Sequence, residues 1–390
     1  MNKIIKKFFN YVCAFLTFIV NQGQRVICRK ESKDLYKSIN DSDTPKVHEQ
    51  FKKNKSYLKQ FGLKAVKRDF YVFYKYLSSK GHDPAKIIPT VIVNNYVTPV
   101  LNPVAYSPFF EDKNMFDKIL PVDMMPQTLL RRIGGRWYKA DYSKLDCEVT
   151  RYLDRLEAER GIVIKPTLNT SSGKGVELYE RRGGKWINKK TGRPLCYNDL
   201  ASGAGSDDLI IQEAVSQSEF LNTFCDTAVN TLRIVIYNSP IDGECHLIWG
   251  GLKIGVKGEF VDNAHAGGIV FGLNRNGKLA PYGMDQHGNK FSVFNDIDFG
   301  KGGYLLPDYD GIVRFAKKAA SRLLPHRFIS FDIALDQQDK PKIIEFNIRG
   351  YSGWYCQFAG DYMLGEKTDE ILRYVTQNKA KGKKFFYRVN

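Results

Sequence analysis

Three residues near the C-terminal end of the chain bring oxygen donors together at a spacing that suits a hard cation. The segment FDIALDQQDKPKIIEFNIRG contains two β-type runs, residues 331–335 and 342–347, joined by the polar loop DQQDKP. A hairpin symmetric about Gln338 and Asp339 sets Asp332 opposite Glu345. The two-residue period of a strand adds Asn347 to the same face. Two carboxylates and an amide on one spot suit Mg²⁺, which takes carboxylates, waters and phosphate oxygens. The solvated face of an ordinary hairpin would read the same way.

A second segment, GIVIKPTLNTSSGKGVELY, has the residues to hold phosphate. A β run at 162–164 ends in Lys165. Ser171, Ser172, Gly173, Lys174 and Gly175 come next, and a second β run occupies 176–179. Glycine and serine let backbone N–H groups close over phosphate oxygens. Lys165, on a strand beneath such a flap, could neutralise the α- and β-phosphates. The pattern GxxxxGK[ST] is absent, so this is no Walker A loop, and a plain hairpin is the competing reading. In a third segment, LIIQEAVSQSEF, residues 209–211 form a buried strand candidate. Gln212, Glu213, Ala214 and Val215 at its end could present backbone groups and an amide to an adenine edge. Glu219 could accept from ribose hydroxyls, although an ordinary strand end looks alike.

These segments need a framework. The chain has 390 residues, 43% hydrophobic, 13% aromatic and 26% charged, which fits a globular protein with a sizeable core and excludes a disordered chain. Its length predicts two to three domains. Residues 29–44 are polar and lead to a helix start, Thr44 as N-cap and Pro45 at the first helical position. The pattern predicts a helix to about Gln60 and a second over 63–79. Gly81, Pro84, Pro89, Pro99, Pro103 and Pro108 break regular structure across the next stretch, and from about residue 106 β-branched runs alternate with turns and helical stretches.

Seven cysteines without a CxxC pair argue against a disulfide framework or a zinc ribbon, and predict reduced thiols in the cytoplasm. Six histidines form no HExxH pair. The net charge of +17 is uneven: residues 1–70 hold 16 Lys/Arg against 6 Asp/Glu, and KAKGKKFFYR closes the chain. Such an excess attracts nucleic acid, anionic lipid or phosphorylated small molecules. No nucleic-acid module accompanies it, so no nucleic-acid partner is expected. At the N-terminus an apolar run, residues 8–20, comes after Lys3, Lys6 and Lys7. As a helix it spans about 20 Å, short of a bilayer core of roughly 30 Å. It reads as a helix packed on the protein, as a helix lying in the inner membrane surface, or as a true signal peptide or membrane span, although no small-x-small cleavage site follows it.

In their order and spacing the three segments resemble the ATP-grasp superfamily, and the wider sequence is similar to its sugar-transfer-associated members, related to α-L-glutamate ligases. The similarity runs from about residue 89 to 374 through IIPTVIVNNYVTPVLNP, EDKNMFDKIL, VIKPTLNTSSGKGV, VNTLRIVIY, VDNAHAGGI and FDIALD…IIEFN. It implies an α/β (α+β) fold in which two α/β subdomains sandwich ATP behind a helical N-terminal region. The expected division is an apolar and basic helix over 1–28, a helical region and linker over 29–105, a first subdomain with the flap over 106–215, a second with the metal site over 216–378, and a basic tail over 379–390.

The resemblance also implies roles. Lys113 and Lys165 match the two ATP-binding lysines. Gln212 falls where many relatives place a glutamate for the adenine amino group, with Glu213 as the other register. Ala214 and Val215 would make backbone contacts and Glu219 would bind ribose. Asp332, Glu345 and Asn347 match ligands for two Mg²⁺ ions. Arg233 would clamp the γ-phosphate or form a structural ion pair. Arg349 would meet a substrate carboxylate or the tetrahedral intermediate. Asn263, His265, Gly267 and Gly268 belong to a loop beside the phosphates, with His265 either a base or a hydrogen-bonded loop residue. The implied reaction joins a small-molecule carboxylate to an amine through an acyl phosphate, in the cytoplasm or at the inner face of the membrane, in surface polysaccharide or glycan-precursor synthesis. A sugar nucleotide or glycan is among the substrates this allows. A sugar phosphotransferase and a non-catalytic nucleotide-binding component are the alternatives.

Overall fold

Thr44 and Pro45 start a helix as their types predict. The Thr44 hydroxyl accepts from the Val47 N–H at 3.4 Å, and the helix runs Pro45–Gln60. The computed structural model describes residues 44–156, 158, 161–168, 173, 175–196, 200, 208–350 and 353–379, with scattered residues between 7 and 33. The second helix begins later than the pattern suggests, at Lys67–Ser79, because Gly62 turns the chain in the left-handed region (φ 64°) and residues 63–66 carry it onward without helix. Asn54, wholly buried, donates to the carbonyls of Ala85 (2.7 Å) and Ile87 (2.8 Å) and ties the first helix to the proline-broken stretch.

The body is built on two antiparallel sheets. The first contains β1 (Thr128–Ile133), β2 (Arg136–Lys139), β3 (Ile162–Pro166), β4 (Glu177–Arg182), β5 (Lys185–Asn188) and β6 (Leu209–Glu213), in the order β2-β1-β6-β3-β4-β5. Two of its hairpins close on Gly-Gly pairs, Gly134-Gly135 and Gly183-Gly184, all four at positive φ. That is the two-residue turn whose twist matches the flanking strands and which residues with a Cβ resist. Ile162, Ile164, Leu209 and Ile211 alternate onto one face and pack with Trp186 and Tyr179.

The second sheet contains β7 (Thr231–Asn238), β8 (Cys245–Ile254), β9 (Ile269–Leu273), β10 (Leu279–Met284) and β11 (Lys290–Phe291). A separate ribbon pairs β12 (Val293–Phe294) with β13 (Ile297–Asp298), and β14 (Phe328–Leu335) and β15 (Pro341–Asn347) complete the sheet in the order β11-β10-β9-β8-β7-β14-β15. Leu232, Ile234 and Ile236 pack against the amphipathic helix Tyr309–Ala320. Val235 and Tyr237, on the other face, pack into a core shared with Phe70, Val72 and Phe73 of the N-terminal helical region. That region is therefore a layer of the second sheet's core.

Of residues 1–28, the described ones are helical where assigned, and Phe8, Tyr11, Phe15, Phe18, Ile19 and Ile27 are exposed. None of them enters the three cores. The basic tail beyond Lys379 lies outside the described residues.

Candidate nucleotide and metal site

One face of each sheet turns to a shared cleft of about 1480 Å³; on the second sheet it is the face that bears Val235 and Tyr237 further along β7. From the first sheet it receives Val163, Lys165 and Gln212, which share a face because Val163 pairs with Gln212 and Lys165 lies two residues on. From the second it receives Thr231, Arg233, Lys253, Asp332, Glu345 and Asn347.

Asp332 stands opposite Glu345, as the hairpin reading requires. The register beyond it differs from a symmetric hairpin. Leu335 pairs with Pro341 rather than Lys342, and a bulge beyond Asp332 absorbs the extra residue, so Ile333 pairs with Ile343. The burial of both Ile343 and Phe346, three residues apart, results from that bulge. The Ile344 carbonyl there accepts from Lys165 Nζ at 3.4 Å.

Lys165 is 7% exposed. Burial, with Lys113 close by, pushes its ammonium down to about 8, against the pull of Glu345. Such a group is improved by an anion. Lys113 Nζ lies 3.1 Å from Glu345 Oε1. The turn carrying Lys113 is capped by Asp112, whose carboxylate accepts from the Asn114 N–H at 2.9 Å. It is anchored by Arg131, 1% exposed, which donates to the Asn114 carbonyl at 2.6 Å and grips the Asp117 carboxylate. Tyr142 donates to the same carbonyl at 2.7 Å.

Arg233 on β7 lies directly across from Asp332 on β14. Its Nε donates to Oδ1 at 2.7 Å and its Nη2 to Oδ2 at 3.1 Å. Lys253 Nζ stands 3.4 Å from the same Oδ2 and 3.2 Å from Asp262 Oδ1. Asp262 is fixed by the Thr231 N–H at 2.9 Å and by the Thr231 hydroxyl. Burial alone would raise the Asp332 carboxyl; Arg233 and Lys253 more than offset it and hold it below the usual range. At Asp262 burial prevails over Lys253, and that carboxyl is raised. Lys253, Asp262 and Thr231 are site residues that sequence reading did not single out. Asp262 sits inside the segment VDNAHAGGI, so its acid type was the available signal.

The remaining expected residues divide. Gln212 is buried in the cleft wall and donates to Pro126 O (3.3 Å) and Thr128 Oγ1 (3.4 Å). Glu213, Ala214 and Val215 line the cleft. The Ala214 N–H is already donated to Gly161 O at 3.0 Å, which leaves its carbonyl for a ligand. Glu219 is placed elsewhere: Ser218 caps the helix Glu219–Asn222, so Glu219 starts it with an exposed side chain outside the cleft lining, while Asn222 lies in that lining. Arg349 lies on the rim, its Nε and Nη2 both donating to the Glu111 carboxylate. His265 is exposed on the cleft wall, and the Asn263 side chain accepts from the His265 backbone N–H at 3.1 Å. Gly268 packs so closely on the loop that an added Cβ would meet Asp262 O at 2.6 Å. Gly173 lines the cleft against Val261 and Gly175 does not; Ser171, Ser172 and Lys174 lie outside the described residues.

Among the described residues no three His, Cys, Asp or Glu side chains stand close enough to hold a cation by themselves. The donor set instead fits Mg²⁺ shared with a phosphate ligand, since Mg²⁺ commonly takes one or two carboxylates and completes its shell with phosphate oxygens and water. Of the Lys and Arg side chains lining the same cleft, Lys113, Lys165, Arg233 and Lys253 stand nearest the paired strands that bear Asp332 and Glu345 and suit the phosphates.

Residues 93–373 match the family described as sugar-transfer associated ATP-grasp, and the chain belongs to that family. Its mixed α/β architecture, with antiparallel sheets and a helical N-terminal region, is the ATP-grasp fold. No curated protein matches the chain. Among solved structures, it is similar to an L-amino acid ligase from Bacillus licheniformis (14% identity, 68% of this chain and 48% of that one, TM-score 0.36). It is also similar to the D-alanine–D-alanine ligase from Coxiella burnetii (10% identity, 73% and 62%, TM-score 0.39). A third is the D-alanine–D-alanine ligase from Bacillus anthracis complexed with ATP (11% identity, 73% and 70%, TM-score 0.36). The match spans about half the length of the first of these.

Proposed function

We propose that this protein is an ATP- and Mg²⁺-dependent ligase that joins a carboxylate to an amine through an acyl phosphate. The observation that carries this reading is the set of four cationic side chains, Lys113, Lys165, Arg233 and Lys253, around the paired strands that bear Asp332 and Glu345. A polyanion carrying a divalent cation satisfies both charge sets at once. Asp332, Glu345 and Asn347 would hold Mg²⁺, which when bound neutralises charge on the β- and γ-phosphates. Lys113 and Lys165 bind the α- and β-phosphates. Arg233 and Lys253 exchange part of their hold on Asp332 for the γ-phosphoryl oxygens and orient them. The substrate carboxylate attacks the γ-phosphorus, the bond to ADP breaks, and an acyl phosphate forms. The amine then attacks the acyl carbon, phosphate leaves, and the amine proton passes to phosphate or solvent. The Gly-rich segment 171–175 would keep water from the acyl phosphate.

The family's association with sugar transfer supports a place in surface polysaccharide or glycan-precursor synthesis, with a carboxylated sugar nucleotide or glycan as the carboxylate partner. The test is product analysis with ATP, Mg²⁺ and pools of carboxylated sugar nucleotides and amines. The expected products are ADP, phosphate and a compound lighter by one water than its two precursors. A product that retains the phosphate would identify a phosphotransferase instead.

A peripheral position at the inner membrane surface completes the proposal. The exposed apolar side chains of Phe8, Tyr11, Phe15, Phe18 and Ile19 support it, together with flanking Lys3, Lys6, Lys7, Arg25, Arg29 and Lys30 in the sequence. No helix among the described residues is long and apolar enough to cross a membrane. Full-length protein should sediment with anionic liposomes at low salt and be released at high salt, and a chain lacking residues 1–28 should stay in the supernatant. Full-length protein that stays in the supernatant at low salt would refute the membrane contact.

A further inference from the structure

The cleft continues beyond the phosphate-facing cluster. Tyr355 lies within electrostatic reach of Arg233, Asp332 and Asp262. Past it the cleft is walled by the N-terminal helix Lys67–Ser79, the turn between β10 and β11, and the helix Trp354–Phe358. At about 1480 Å³ the whole space exceeds the roughly 300–1,000 Å³ typical of a single-ligand pocket. A second ligand has room beside a nucleotide.

This end is a constructed wall. The Tyr76 hydroxyl donates to Gly288 O at 2.8 Å and pins the turn to the N-terminal helix. Gly288 has φ 78°, and a Cβ there would meet the Tyr76 oxygen at 2.7 Å and Phe358 at 2.8 Å. Phe358 packs on Phe73 with ring centroids 5.2 Å apart, and Trp354 packs on Phe358 at 5.6 Å. Within the turn, the Asp285 carboxylate accepts from the backbone N–H groups of His287 (2.8 Å) and Asn289 (2.9 Å).

The charge of this end differs from that of the nucleotide end. Of the Lys and Arg in the lining, Lys113, Lys165, Arg233 and Lys253 stand around the carboxylates of the second sheet or across from them on β3, Lys189 pairs with Glu180 at 3.1 Å, and Arg349 is held by Glu111. Around the aromatic wall the cleft is lined by Asp69, Thr90, Gln286, His287 and Asn289, with no Lys or Arg of these three elements among the described lining residues. Lys290, next along the chain, is turned onto the rings of Tyr282 (4.3 Å) and Tyr76 (5.5 Å) and is not in the lining.

We infer that this helical end of the cleft is the acceptor compartment and takes an amine on a neutral, non-phosphorylated framework, its ammonium held by the aromatic faces of Trp354 and Tyr355 and by the negative charge of Asp69. The inference rests on the ligase reading and assigns its amine partner. An ammonium is attracted by indole and phenol faces and by a carboxylate. A phosphorylated amine would meet the Asp69 carboxylate, which also accepts from the Thr90 N–H at 3.2 Å, and no Lys or Arg of the three walling elements among the described lining residues. The N-terminal helical region, which the sequence alone leaves without a role in the chemistry, thereby supplies one wall of the substrate site.

The test uses full-length protein saturated with MgADP and ligand-observed NMR of matched amine pairs, ethanolamine with O-phosphoethanolamine and glucosamine with glucosamine 6-phosphate. The MgADP affinity is measured first by calorimetry; its absence would overturn the nucleotide reading separately. With MgADP bound, the unphosphorylated amines should show saturation transfer and their phosphorylated partners little. Trp354→Leu and the near-isosteric Asp69→Asn should each weaken amine binding about tenfold, while ADP affinity reports intact folding. Preference for the phosphorylated partners, equal amine binding in both variants, or no amine binding to the MgADP complex would overturn the assignment.

Discussion

Arg233 and Asp332 face each other across β7 and β14, and the guanidinium takes both carboxylate oxygens, at 2.7 and 3.1 Å. Lys253 reaches the same carboxylate from β8. Asp332 thus serves two sets of partners in turn, these cations in the free protein and, in the proposed reaction, the nucleotide's metal.

Removing one member of a buried charge pair leaves the other uncompensated, at about 3–5 kcal/mol. Asp332→Asn should therefore abolish turnover and also lower thermal stability clearly. Glu345→Gln should abolish turnover with much less loss, because Glu345 is 33% exposed and its ion pair with Lys113 is partly screened by solvent. Melting temperatures of the two variants check the ordering; equal losses would contradict it.

Lys165 gives a pH dependence of known sign. Its ammonium is depressed from 10.5 to about 8 in the folded chain, so between those values the unfolded chain binds more protons. Stability relative to Lys165→Met should rise with pH between about 8 and 10.5, while nucleotide affinity, which needs the charged form, should fall above about 8. The variant should bind ADP weakly at every pH. Urea titrations and calorimetry across pH 7–10 read both effects.

Lys253 is placed by Asp262 and Asp332 to meet developing phosphoryl charge. Lys253→Met should lower kcat about a hundredfold, in the range seen when one electrostatic stabiliser is removed. A rate within twofold of wild type would remove Lys253 from the proposed machinery.

Gly268 lets the Asp262 loop pack closely. In Gly268→Ala the new Cβ would meet backbone oxygens of Asp262 at 2.6 Å and Asn263 at 3.0 Å. Backbone cannot yield as a side chain does, so a loss of about 1–3 kcal/mol is expected in chemical denaturation, with turnover reduced through the displaced Asp262.

The legible parts of this protein are those whose partners lie close in sequence. Thr44 and Pro45 announced a helix start, and the DQQDKP loop brought Asp332 opposite Glu345. Even there the bulge beyond Asp332 was hidden, because it depends on how Ile343 and Phe346 reach the core. Lys253 and Asp262 meet only through the register of β7 with β8 and a loop packed against Gly268, which no local pattern encodes. Glu219 has the type to bind ribose, but the Ser218 cap turns it to solvent. The packing of residues 67–79 on the second sheet is a long-range contact, invisible in the spacing of Phe and Tyr.

The most direct measurement traces oxygen. The protein is incubated with ATP, Mg²⁺, an amine pool and acids labelled with ¹⁸O in the carboxylate, and the released phosphate is weighed by mass spectrometry. Attack of the carboxylate on the γ-phosphorus predicts one ¹⁸O per phosphate released with each amide formed. Unlabelled phosphate, or label found only in recovered acid, would contradict an acyl phosphate route and with it the ligase assignment.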